Sequence, residues 1–175
     1  MRILFIGDIV GDRGVDFVSA HLDSIRKLKK IDLVIANGEN SSTAGKGISK
    51  EAAHRLFMCG VDERFIPCID FGHLNARTHG GLATYADFEA VLDKIEKALG
   101  FDRLKVYHSH FSKIEYTEGG EKCHLTFEDE KYGPVFDFLA ELIYKKGLTP
   151  VTICESAGTQ AEDAAFMKKL YLEQK

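Results

Sequence analysis

The chain has 175 residues, 45% of them hydrophobic and 29% charged, with 23 basic against 27 acidic side chains and a net charge of -4. That length and balance predict a single folded domain and exclude a disordered tail, and they argue against a broad electrostatic footprint for nucleic acid while leaving room for a local basic rim. No apolar run is long enough to cross a bilayer, and Met1-Arg2 leads into a strand pattern instead of a signal peptide, so the expectation is a cytoplasmic protein with no membrane partner.

Residues 2–7 form a continuous apolar strand, and Val15, Val18, Leu22, Ile25 and Leu28 follow at helical spacing toward a basic end at Lys27, Lys29 and Lys30. Residues 32–36 are the second strand. Ser49 is placed to cap a helix through Ala52, Ala53, Leu56 and Phe57 that Gly60 closes. A third strand covers 64–70. Thr84 opens a helix bearing Phe88, Val91, Leu92, Ile95 and Leu99, Gly100 lies just past its end, and residues 103–108 read as the fourth strand. A polar insertion at 112–133 precedes a helix carrying Val135, Phe138, Leu139, Leu142 and Ile143. Gly147 ends that helix ahead of a fifth strand at 150–154 and a last helix at 161–173.

Near-continuous apolar strands alternating with amphipathic helices indicate an α/β fold. The expectation is a five-stranded, mainly parallel sheet of βα units, either open and doubly wound or an incomplete TIM-barrel-like arrangement. Five strands are too few to close a barrel, and the open edges predict self-association as a homodimer. Cys59, Cys68, Cys123 and Cys154 contain no CxxC pair. Cys59, Cys68 and Cys154 read as small buried hydrophobes, and no disulfide framework is expected.

Each apolar run stops on or near a side chain able to bind a metal: Asp8, Glu39, Asp70, His108 and Glu155. Function in parallel α/β sheets gathers at the carboxyl ends of strands, which predicts one site lined by oxygen and nitrogen donors. Asp70 and His73 stand at i and i+3 where a strand enters its loop. Carboxylate with imidazole suits zinc or manganese, and the alternative is a structural polar pair. Asp70, His108 and Glu155 from neighbouring strand ends would leave an open coordination position for water or phosphate.

Other residues stay open between two readings. Asp8 is a ligand or a loop-opening Asp, since Gly7, Gly11 and Gly14 mark a tight turn. His110 shares a strand face with His108 and is a ligand or a partner behind one. His124 is a ligand or a solvated loop residue, and Lys113 a phosphate contact or a solvated lysine. His21 and His54 fall on helices and read as surface residues, while His79 in a glycine-rich loop is ambiguous. No P-loop ending in Gly-Lys-Ser/Thr is present at the required spacing.

The segments RILFIGDIVGDRG, VIANGEN and AGKGISKEAAHRLFMCGVD, within residues 1–62, resemble the amino end of a bacterial subgroup of calcineurin-like metallophosphoesterases, some of which hydrolyse cyclic nucleotides. That resemblance implies a two-metal centre with Asp8, Glu39 and Asn40 among its ligands. From about residue 63 onward, CIDFGHLNART, VYHSHFSK, GGEKCHLTFEDEKYGP and ICESAGTQAEDA resemble the carboxyl-terminal part of an endonuclease IV-like protein of the xylose-isomerase-type barrel superfamily. Here the resemblance implies metal ligands at Asp70, His73, His108, His124 and Glu155. Lys122 departs from the pattern, since the endonucleases usually place an Asp two residues before the position of His124. The change of resemblance near 61–63 makes the chain chimera-like.

Together these readings predict a metal-dependent phosphoesterase or nuclease of endonuclease IV-like type that uses a divalent ion, zinc or manganese, on a phosphodiester such as abasic DNA or a cyclic nucleotide. A non-catalytic chimeric scaffold and a metal-dependent sugar isomerase or epimerase are the alternatives.

Overall fold

The computed structural model describes residues 1–38, 40–43, 47–61 and 68–175. The chain divides into two compact units, Met1–Phe65 and Ile66–Lys175.

In the first unit, strand β1 (Ile3–Ile6) pairs in parallel with β2 (Leu33–Ala36), Ile3 opposite Leu33 and Ile6 opposite Ala36. The connection is helix α1 (Gly11–Lys29), and α2 (Lys50–Met58) follows β2. Val15, Val18 and Leu22 lie on the buried stripe of α1 and meet Val34, Ala52, Leu56 and Ile9 in a small core. Ser49 does cap α2, its side chain accepting from the Ala52 amide. Arg26, Lys27 and Lys29 place positive charge where the α1 dipole is negative, and Lys30 ends the helix in a left-handed conformation.

The second unit is built on a three-stranded parallel sheet in the order β3 (Cys68–Asp70), β4 (His108–Phe111), β7 (Val151–Cys154). Helices α3 (Phe71–Arg77), α4 (Tyr85–Leu99) and α5 (Phe101–Lys105) connect β3 to β4. An antiparallel hairpin, β5 (Ile114–Thr117) with β6 (Gly120–His124), and α6 (Asp137–Lys145) lie between β4 and β7, and α7 (Gln160–Leu172) ends the chain. Thr84 and Asp87 form a reciprocal capping box on α4. The core is aromatic-rich, with Phe71, Phe88, Tyr107 and Phe111 all fully buried beside Leu92, Leu104, Leu139 and Leu142.

Four expectations are corrected. The parallel strands form a two-stranded and a three-stranded sheet instead of one five-stranded sheet, so neither a doubly wound sheet of five strands nor a partial TIM barrel is seen among the described residues. Pairing is a non-local property that strand periodicity does not encode. The fourth strand lies later than 103–108, because Gly100, at φ 83°, ends α4 and restarts a short helix that buries Leu104. The polar insertion holds the β5–β6 hairpin, whose half-exposed strands lack an apolar run. Cys68 is exposed instead of buried, while Cys59 and Cys154 are half-buried, and none of the four cysteines forms a disulfide among the described residues. The third strand's expected start at residue 64 lies outside the described residues.

Candidate metal centre

Alternation along β4 decides which side chains reach the site. Ser109 and Phe111 are buried, so His108 and His110 face the other side of the sheet. In register, Cys68 pairs with His108, and Asp70 with His110. Glu155 follows the last residue of β7, and its amide extends the ladder by donating to the Phe111 carbonyl at 3.1 Å.

Asp70 has two local roles, since it ends β3 and caps α3. One oxygen accepts from the His73 amide at 2.8 Å, and the other lies 2.6 Å from His73 Nδ1. The approach of α3 to the end of β4 is close: a Cβ on Gly72 would lie 2.7 Å from the Ser112 carbonyl oxygen. Ser112 is buried, and its Oγ lies 2.8 Å from Nδ1 of His124, the last residue of β6. The His73 and His124 rings stand edge to face with centroids 5.3 Å apart.

These placements gather donors from β3, β4, β6 and the ends of β7 and α3. His110 Nδ1 is 3.1 Å from Glu155 Oε1 and 3.8 Å from Asp70 Oδ2, while His73 Nε2 is 3.3 Å from Glu121 Oε2. Within one set, Asp70, His110 and Glu155, the donor atoms all lie within 4.8 Å of one another, and the same holds for His73, His124 and Glu155. Glu155 belongs to both. Half-buried carboxylates and imidazoles converging in this way match the donor chemistry of a divalent ion.

Electrostatics follow from the same contacts. Burial alone would raise the Asp70 pKa, but hydrogen bonds from the His73 side chain and amide, with the charges of His73 and His110, hold it below the usual carboxylate value. His73 is raised, first by its hydrogen bond to Asp70, against a smaller opposing effect of burial.

Of the residues expected from sequence, Asp70, His73, His124 and Glu155 therefore come together. The His108 donor instead groups with those of Cys68 and His110. In the first unit, Asn40 Nδ2 donates to Asp8 Oδ1 at 2.8 Å, beyond the carboxyl edge of β1 and β2, and Asp8 has a left-handed φ of 38°, uncommon for a side-chain-bearing residue. Glu39 lies outside the described residues. Lys113 donates to the carbonyls of Phe127 and Asp129, and Lys122 pairs with Glu115 at 2.8 Å. His21, His54 and His79 are exposed, the last with its ring against Tyr116. His110, open on sequence between a ligand and a partner behind one, joins the donor set, and Glu121 is the addition. The two-residue step from His108 signals the first, whereas Glu121 could be found only through the hairpin.

Fold and site together define a mixed α/β protein with parallel sheets and a strand-end cluster of carboxylates and imidazoles. Residues 4–65 match the family model described as YmdB-like protein, of the calcineurin-like phosphoesterase group. This is the segment in which the sequence resembles a metallophosphoesterase. An uncharacterized protein of Methanocaldococcus jannaschii is 34% identical over 118 residues, 67% of this chain and 42% of that protein. A stretch of that length cannot fit within the first unit, so the likeness extends into the second. The 2',3'-cyclic-nucleotide 2'-phosphodiesterase of Bacillus subtilis is 42% identical over 62 residues, 35% of this chain and 23% of that enzyme. The chain thus spans less than half the length of these curated relatives. A crystal structure of a novel phosphatase from Mycoplasma pneumoniae aligns over 97% of this chain and 59% of its own, at 17% identity and a TM-score of 0.42. The family match and the cyclic-nucleotide phosphodiesterase carry the phosphoesterase resemblance, and the endonuclease IV resemblance finds no support among these relatives. Among the described residues, no helix is long and apolar enough to cross a membrane.

Proposed function

We propose that this chain is part of a divalent-metal-dependent hydrolase of phosphoesters, with ions held in the second unit by Asp70, His110 and Glu155 and by His73, His124 and Glu155. The observation that carries the reading is Glu155, whose carboxylate belongs to both donor sets. A carboxylate common to both sets would let two ions lie side by side, and such a pair would stabilise the attacking and leaving oxygens of an in-line displacement at phosphorus. The likeness to proteins named phosphodiesterase and phosphatase supports the same chemistry.

The protein's own groups have distinct work in this scheme. Asp70, fixed by the α3 amide, orients the His73 ring through Nδ1 and leaves Nε2 toward the site. Ser112 does the same for His124. Glu121, near His73 Nε2, is placed to accept a proton from attacking water. When bound, a divalent ion polarises phosphoryl oxygen and lowers the pKa of water toward ~7. Zinc or manganese suits the donors. Asp8, Asn40 and Glu39 are proposed as further metal ligands on the resemblance of their segment to the metallophosphoesterases.

The favoured substrate is a cyclic nucleotide or another small phosphodiester, since a net charge of -4 offers little attraction for duplex DNA. The test is metal analysis after desalting, followed by hydrolysis of bis-p-nitrophenyl phosphate, a 2',3'-cyclic nucleotide and abasic duplex DNA with manganese or zinc. Turnover of the first two, lost in Glu155→Gln, is expected. Cleavage of abasic DNA alone would favour the endonuclease IV-like reading, and a protein that retains no metal and hydrolyses none of the three would overturn the proposal.

A further inference from the structure

Below the carboxylates, the exposed face of the same sheet carries a softer donor set. Cys68 is exposed on β3, directly opposite His108 in register, and His110 is the next residue of β4 on that face. The two imidazole rings lie edge to face with centroids 5.4 Å apart, and one donor atom from each of Cys68, His108 and His110 falls within 4.8 Å of the others. A cysteine serving as a small hydrophobe would be buried, as its neighbour Ile69 is. Thiolate with two imidazoles is instead the donor set of soft or borderline ions.

His110 also belongs to the set formed with Asp70 and Glu155. A neutral imidazole has one ring nitrogen with a free lone pair, so it serves one ion at a time. We propose that Cys68, His108 and His110 form a thiolate site for a soft divalent ion that competes with the carboxylate site for the His110 imidazole. On binding, the Cys68 thiol loses its proton to solvent as the sulfur–metal bond forms, and His110 is withdrawn from Asp70 and Glu155. Hard manganese favours the carboxylates, whereas zinc or cadmium can occupy the thiolate site and displace it. The thiolate site stands on its own geometry; only the competition rests on the proposed metal centre.

Cadmium titration of the full chain tests this, read by the near-ultraviolet sulfur-to-cadmium charge-transfer band, with manganese followed in parallel by its electron paramagnetic resonance signal. The band is expected in wild type, lost in Cys68→Ser, weakened in His108→Ala, and retained both in Asp70→Ala and in a variant with Cys59, Cys123 and Cys154 all changed to Ser. Cadmium should release about one of the two bound manganese ions from wild type but none from Cys68→Ser. A band that persists in Cys68→Ser, or disappears in the triple variant, overturns the site. Manganese that stays at its wild-type stoichiometry when cadmium binds overturns the competition. A cadmium band in a protein that never binds manganese would uphold the thiolate site and sink the proposed hydrolase centre instead.

Discussion

Replacing Glu155 by Gln keeps the size of the side chain and removes the charge that both donor sets share. Structural zinc sites of four ligands are worth ~10–16 kcal/mol, so one ligand contributes about 3 kcal/mol, or roughly a hundredfold in affinity. His110→Ala takes that from one of these two sets only, whereas Glu155→Gln takes it from both. With manganese, which does not favour the thiolate, wild type should retain about two ions per chain, His110→Ala about one, and Glu155→Gln close to none. The Glu155 side chain is 30% exposed, so its removal leaves no buried charge unpaired, and circular dichroism should show an intact fold. Isothermal titration and metal analysis after desalting give the numbers. If Glu155→Gln retained one ion at wild-type affinity, the carboxylate would serve a single set and the shared-ligand argument would fail.

Three further outcomes follow from packing and titration. The Tyr107 hydroxyl is buried with no hydrogen-bond partner among the described residues, and burial pushes its pKa upward, so Tyr107→Phe should raise stability by ~1 kcal/mol or more in urea unfolding; a loss of stability would reveal a partner. Gly72→Ala should cost ~1–3 kcal/mol and weaken manganese binding, because the new methyl meets the Ser112 backbone, and an unchanged midpoint would show that α3 can shift freely. In metal-free protein, the raised His73 pKa contributes stability that is present below its unfolded value of about 6.5 and lost as pH rises through the folded value. The lowered Asp70 pKa contributes above about 3.9 and is lost as pH falls through its folded value. The stability difference between wild type and His73→Gln should therefore be largest between about pH 4 and 6.5 and shrink on the alkaline side; a difference that grew there would contradict the pairing.

What could be read from sequence was what depends on near neighbours. The α1, α2, α4, α6 and α7 patterns fall where the helices are, since apolar spacing and caps such as Ser49 and Thr84 act within a few residues. Asp70 and His73 were legible for the same reason, because one carboxylate capping a helix three residues on brings its side chain to the imidazole. The separation of β1–β2 from β3–β4–β7 was not legible, since strands of like composition do not name their partners. Nor was the preference for His110 beside Asp70: shifting the expected strand from 103–108 to His108–Phe111 changes which histidine stands opposite Asp70. Glu121 depends on a hairpin whose signal, Glu118-Gly119-Gly120 between short half-polar strands, is too weak to stand out from a loop.

The site and the core are opposite faces of one strand, and this is what gives the ligands their register. Phe111 is fully buried, with ring centroids 6.1 Å from Phe71, 5.9 Å from Phe127 and 5.0 Å from Phe136. Rotating β4 to its other face would carry Phe111 and Ser109 into solvent and both histidines into the aromatic core, a loss of about 2–3 kcal/mol for the phenylalanine alone. Aromatic packing thus holds His108 and His110 outward, parallel pairing sets His108 beside Cys68 and His110 beside Asp70, and the strand direction places the carboxylate of Glu155 one step beyond β7. The donors consequently run from thiolate to carboxylate along the sheet in the direction of its carboxyl edge, and an ion's own softness decides how far along that series it binds.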